Sequence, residues 1–132
     1  MKFQVEWDNP EKTIIRVTYP EKWTWNDFFE SMVEETALMR TVQHTVHLLV
    51  DLRQSKSIPV GGALTHSRNA LNDLPDNWGI LAVVSTNVLI QRLATVFRTA
   101  FTNRIGAKTF VVASMDEAYR LIAQKESGTA SS

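Results

Sequence analysis

The sequence predicts an α/β domain: a mixed sheet of about five strands, element order ββαβαβαβα, with helices packed on the sheet. Two alternating segments separated by turn residues open the chain. Three later aliphatic runs have the length of strands, and each is joined to the next by a segment with apolar residues at helical spacing. Strands joined through helices run parallel, whereas strands joined by a tight turn run antiparallel.

Each element has its own signal. Phe3 to Trp7 and Thr13 to Tyr19 alternate apolar and polar residues, and Asp8-Asn9-Pro10-Glu11 between them is turn chemistry, so the pair is a hairpin. Pro20 stops the second strand, and Thr24 caps a helix with Trp25, Phe28, Phe29, Met32, Thr36 and Met39 on one stripe. Asp27, Glu30 and Glu34 lie opposite, toward solvent. Thr45 to Leu52 reads as a strand buried on both faces. After Pro59-Val60-Gly61-Gly62, the residues Ala63, Leu64, Ser67, Ala70, Leu71 and Leu74 mark a second helix that ends before Pro75. Trp78 to Ser85 contains Ile80-Leu81-Ala82-Val83-Val84, a second fully buried strand. Asn87 caps a third helix with a broad stripe of Leu89, Ile90, Leu93, Val96, Phe97, Ala100 and Phe101. Lys108 to Ala113 holds the last strand. Ser114 and Glu117 are spaced as a capping box for a final helix carrying Tyr119, Leu121 and Ile122. Residues 1–124 form one domain, and 125–132 are a polar tail expected to fray.

Composition narrows the classes. A chain of 132 residues has room for one core, and 44 % apolar content is enough to build it. Fourteen basic and fourteen acidic side chains cancel, which removes the overall electrostatic case for nucleic acid. The absence of cysteine excludes disulfides and thiolate metal sites and fits a reducing compartment. The longest apolar run, Ile80 to Val84, falls far short of the roughly 20 residues of a membrane span, and Met1 to Asp8 holds no signal-peptide core. The expectation is a soluble cytoplasmic protein. Charge is nevertheless uneven: Met1 to Thr36 is acid-rich, whereas Asn77 to Met115 carries Arg92, Arg98, Arg104 and Lys108 without an acid. Such asymmetry suits a homo-oligomer or a charged protein partner, or acidic and basic helices side by side in one fold.

The strand ending in Asp51-Leu52, the polar loop after it and the glycine-led helix resemble the STAS family of SpoIIAA-like anti-sigma-factor antagonist domains, over about Phe3 to Gln124. That family carries an Asp-Ser-Ser-Gly-like motif in this loop, whose serine is phosphorylated to switch partner binding. Here Pro59-Val60-Gly61-Gly62 stands in its place, and only Gly62 matches. Ser55 and Ser57 lie upstream and do not align with the phosphoacceptor. The chain looks like the divergent SpoIIAA-like branch grouped with SEC14-type lipid-binding domains, in which no switch serine is required. The resemblance implies a non-catalytic regulatory or protein-interaction domain that meets a protein partner or a second copy of itself, as a homodimer.

Sites in such sheets lie beyond the carboxyl ends of the parallel strands. The candidate partner- or ligand-binding residues are therefore Asp51, Arg53, Ser55, Lys56, Ser57, Pro59, Gly61, Gly62 and His66. Asp51 is either a base or polar anchor, or the ion-pair partner of Arg53. His66 is either a catalytic imidazole or an ordinary half-buried one. His44 and His47 point to opposite sides of a strand, so no shared metal is expected. Ser85-Thr86-Asn87 offers an anion site or simply a helix cap. Gly61-Gly62 lies in neither nucleotide-binding glycine fingerprint, and no catalytic residue, metal or cofactor is assigned. Trp25 fits the core stripe, leaving Trp23 to line a groove or staple the helix start. The alternative to the interaction domain is a carrier or sensor of a small apolar ligand or lipid, held between the sheet and helices by Met32, Met39, Phe97 and Phe101. A small enzyme using Asp51 and His66 is the third reading.

Overall fold

The computed structural model describes residues 3–56, 58–59, 61–101 and 104–131. Strands β1 (Gln4–Trp7) and β2 (Ile14–Thr18) pair antiparallel, with Val5 opposite Val17. Asn9 sets the turn: its Oδ1 accepts from the Thr13 and Ile14 backbone N–H groups, and its Nδ2 donates to Thr13 Oγ1 at 2.6 Å. Helix α1 (Trp25–Met39) starts on a capping box in which Thr24 and Asp27 each satisfy the other's backbone N–H. The chain continues through β3 (Val46–Asp51), α2 (Ala63–Asn72), β4 (Trp78–Val84), α3 (Val88–Ala100), the short α4 (Arg104–Ala107), β5 (Thr109–Val112) and α5 (Met115–Ser131).

The sheet order is β1-β2-β3-β4-β5, antiparallel for the first pair and parallel for the rest. Because each parallel strand is added on the same side of the last, right-handed crossovers place α1, α2 and α3 on one face. The core on that face contains Ile15, Val17, Leu48 and Val50 of the sheet with Phe28, Met39, Leu71 and Phe97 of the helices. Among the described residues α5 covers the other face, where Ala118 and Ile122 pack on Ile14, Leu49, Ile80, Ala82 and Val84. β3, central in the sheet, is buried at all six positions.

Several details differ from the sequence reading. β4 is not buried throughout but alternates, because Gly79, Leu81 and Val83 are only half covered. The α3 stripe is narrower than predicted: Ile90 and Phe97 are buried, whereas Leu89 is 56 % and Val96 48 % exposed. Near the end of the helical layer, α3 has apolar neighbours along one line only. Phe29, placed on the α1 stripe, lies at its rim and is exposed. The last helix runs on to Ser131, taking in most of the segment read as a tail. Its cap has the predicted residues, but Glu117 accepts from the Ala113 N–H while Ser114 Oγ accepts from the Glu117 N–H.

The β3–β4 register slips between Val46 and Leu48. At the slip His47 Nδ1 accepts the Ile80 backbone N–H at 3.0 Å, so an imidazole replaces the strand carbonyl. The ring lies so close to Gly79 that a Cβ there would collide with it. Glycine is required at this position by proximity rather than by backbone angle.

Candidate functional site

Between the sheet and the three helices of its larger layer lies a cavity of about 160 Å³. Leu48 and Val50 of β3, Leu81 and Val83 of β4, and Val111 of β5 form its floor. Helix α1 contributes Trp25, Phe28, Met32 and Glu35, which recur at helical spacing along the side facing the sheet. Helices α2 and α3 close it with Leu64, Leu71, Ile90, Leu93 and Phe97. The half cover of Leu81 and Val83 on β4 follows from this: both line the cavity.

Glu35 is the carboxyl in a mainly apolar lining that also includes Tyr19, Ser67 and Thr109. It is 3 % exposed, and burial pushes its carboxyl up to about 8, against the opposing effect of Ser31 and with the neighbouring charge of Glu34 in support. The nearby Tyr19 phenol is also pushed up by burial, with the Glu35 charge adding to the shift. Ser31, one turn before Glu35, donates its hydroxyl to the Phe28 carbonyl at 2.7 Å. Trp25, also on the lining, has its Nε1 buried without a hydrogen-bond partner. The Trp25 ring packs edge-on against Trp23 and Phe28.

The loop singled out from sequence meets this cavity at one end, through Leu52, Ile58, Ala63 and Leu64. Its polar residues are engaged elsewhere. Arg53 grips Asp51 with Nε and Nη2, both at 2.9 Å, and its backbone N–H adds a third bond at 3.0 Å. The guanidinium holds the Asp51 carboxyl below the usual carboxylate range, against the opposing effect of burial. Asp51 is thus a tightly held ion-pair partner and a poor base. Ser55 is buried and accepts the Trp23 indole N–H at 2.9 Å, so Trp23 anchors the loop to the start of α1. Lys56 is exposed, and its backbone N–H bonds to Glu21. Pro59 is half-buried, while Ser57 lies outside the described residues.

Gly61 and Gly62 both take positive φ, +81° and +77°, the left-handed turn that leads into α2. A Cβ on Gly62 would lie 2.8 Å from the His66 ring. His66 is half-buried, with its ring centroid 4.7 Å from that of Trp25 and 5.2 Å from that of Phe29. It packs beside the cavity and does not meet Asp51 in an acid–base pair. Of the predicted ligand-lining residues, Met32 and Phe97 border the cavity; Met39 is wholly buried in the core, and Phe101 packs against Phe97 at the core's edge.

The histidines are apart, as expected: His44 Nε2 meets the Lys12 carbonyl, while His47 lies inside the sheet. Among the described residues no group of three or more His, Cys, Asp or Glu is placed to hold a metal ion, and no helix is long and apolar enough to cross a membrane. Asn87 caps α3 through the Leu89 N–H, and Ser85 Oγ accepts the Asn87 N–H, so this strand end serves as a helix cap.

The sequence reading missed Glu35. Its signal was present, since Glu35 continues the Trp25, Phe28, Met32 stripe, but a helical glutamate usually belongs to solvent. No family model matches the chain, and no curated protein or solved structure is significantly similar to it.

Proposed function

We propose that the protein is a carrier or sensor of a small, mainly apolar ligand. The observation that carries this reading is an apolar cavity under three helices, with one buried carboxyl in its wall. Its size selects the ligand class: a cavity of roughly 150 Å³ lined by Leu, Ile and Phe accepts a benzene-sized molecule, whereas drug-sized sites have roughly 300–1,000 Å³. A single ring or a short chain therefore fits, and a whole membrane lipid does not. Ile58, Ala63 and Leu64 share the cavity wall, which gives occupancy a route to the surface that the STAS resemblance assigns to partners.

Native mass spectrometry of protein purified gently from cells, followed by titration with toluene under NMR observation, tests the proposal. A retained stoichiometric mass, or saturable shifts confined to Leu81, Val83, Leu93 and Phe97, is expected. A bare protein whose spectrum toluene leaves unchanged refutes it.

A second reading, the regulatory interaction domain, draws on exposed apolar residues: Val33 on α1, 70 % exposed, and Val88, Leu89 and Val96 on α3. Lys56 on the loop supplies its test. Lys56→Glu is expected to weaken a partner complex without lowering the melting temperature, whereas an unchanged complex counts against the loop as the contact surface.

A further inference from the structure

The large apolar side chains left exposed among the described residues all lie on α1 or α3: Phe29 at 39 % and Val33 at 70 % on the first, Val88 at 58 %, Leu89 at 56 % and Val96 at 48 % on the second. Both groups occupy the outer sides of their helices, since the core-facing sides carry Phe28, Ser31 and Glu35 on α1 and Ile90 and Phe97 on α3. Each outer stripe recurs at every fourth residue, as Phe29, Val33 and Ala37 on α1 and as Val88, Arg92 and Val96 on α3. At 1.5 Å per residue both run about 12 Å, so they match in length.

The charges beside the stripes are opposite. Helix α1 contains no Lys or Arg, and the exposed Glu30 and Glu34 flank its stripe. Helix α3 contains no acid, and Arg92 stands between Val88 and Val96. Arg98 is turned back to the Thr109 carbonyl and the Phe110 ring, which leaves Arg92 as the charge on the outer stripe. Among the described residues none of Glu30, Glu34 and Arg92 forms an ion pair. The two faces cannot cover each other within one chain, because both look outward from the same layer. Between two copies, α1 against α1 would crowd the carboxylates of Glu30 and Glu34, and α3 against α3 would set one Arg92 on the other. Only α1 against α3 joins apolar stripe to apolar stripe with opposite charges alongside.

We propose that these faces join two copies of this chain, α1 of each copy packed on α3 of the other. Because α1 and α3 flank α2 on one face of the sheet, a twofold axis parallel to α2 makes both contacts at once and closes the assembly as a dimer. Between the flanks α2 presents Thr65, Arg68, Asn69 and Asn72, so the centre of the pairing is polar and the apolar contact comes in two strips. This rests on the interaction reading above, and adds to it the partner and the surface.

Analytical ultracentrifugation of the full chain tests the pairing. A reversible dimer is expected for the wild type. Arg92→Glu weakens it about tenfold, since both symmetric contacts turn from attraction to repulsion, and the double variant Glu30→Arg with Glu34→Arg does the same. Mixed in equal amounts, the two variants regain the wild-type affinity as a heterodimer, because every α1 then faces an α3 of opposite charge. A wild type that stays monomeric at millimolar concentration overturns the dimer and leaves the interaction reading to its own test at Lys56. A dimer that neither charge reversal weakens, or that mixing the folded variants does not restore, overturns the pairing of α1 with α3. Should circular dichroism find either charge variant unfolded, Val33→Ser and Val96→Ser take its place: each is expected to weaken the dimer, and a dimer that both leave intact overturns the pairing.

Discussion

A buried acid leaves a mark on stability. Glu35 has an ordinary value of 4.5 and a folded value raised to about 8, so its contribution is fully present below pH 4.5. As pH rises from there the unfolded chain releases the proton and the folded chain keeps it, and stability falls by about 1.4 kcal/mol per pH unit until pH 8. We expect denaturant unfolding to show the wild type losing stability relative to Glu35→Gln between pH 5 and 7.5. Parallel stability profiles would contradict a neutral buried acid. His47 acts at the other end of the range. Burial lowers its value below 6.5, with Lys108 adding to the shift and Glu126 opposing it, so the folded chain resists protonation. The His47 contribution is present above pH 6.5 and is lost as pH falls below that toward the folded value. Its ring accepts the Ile80 N–H at Nδ1, which leaves the proton on Nε2, 3.4 Å from Glu126 Oε1. Nitrogen-15 NMR above pH 6.5 should find the proton on Nε2; a proton on Nδ1 would be inconsistent with its acceptance of the Ile80 N–H. The place of Glu35 on the apolar stripe was legible in the sequence, but neither shift was, because a glutamate on a helix and a histidine on a strand acquire their shifts from what packs over them.

The helices and strands were legible in most of their course, since each depends on residues adjacent in the chain. Pro20, Thr24 and Asp27 place the start of α1, Pro75 limits α2, and Asn87 places α3. Thr24→Ala should cost about 1 kcal/mol, because the Asp27 backbone N–H loses its side-chain acceptor, as measured by urea unfolding. Gly62→Ala should cost about 1–2 kcal/mol through the left-handed backbone, with the contact to His66 adding strain. Here a rise in melting temperature would count against the turn assigned to α2's start. Leu49→Ala and Phe28→Ala test the two layers separately. Each should cost about 2–5 kcal/mol, since Leu49 is buried under α5 and Phe28 between α1 and the sheet. What the local pattern misjudged was width: Leu89 and Val96 extend an apolar run on α3, yet burial requires a surface opposite, and α3 has one only along Ile90, Leu93 and Phe97.

The molecule as a whole owes its cavity to the sheet order. With β2 to β5 laid down in one direction, three crossover helices crowd one face, and their side chains leave a gap over β4 that α5, on the opposite face, cannot fill. Val83→Phe fills that gap from the floor. The variant should fold at least as stably as the wild type and lose toluene binding, a pair of outcomes checked by thermal melting and NMR titration. Toluene binding retained by a folded Val83→Phe protein would place the ligand elsewhere. The Asp51–Arg53 pair and the Trp23–Ser55 bond also belong to this level, because they tie a polar loop back onto the strand end and the helix start that border the cavity.

Sequence alone determined the element types, their order, the hairpin and the need for a sheet covered by helices, because hydrophobic period, prolines and capping residues act over a few neighbouring positions. It also marked the Asp51–Arg53 pairing as one of two readings, and the pairing is what formed. Only the tertiary structure decided that Glu35 is enclosed, that Met32 and Phe97 border empty volume while Met39 does not, and that His47 bonds to the backbone of the neighbouring strand. Burial and cavity volume depend on which residues distant in the chain come together, and no periodicity within one segment records that.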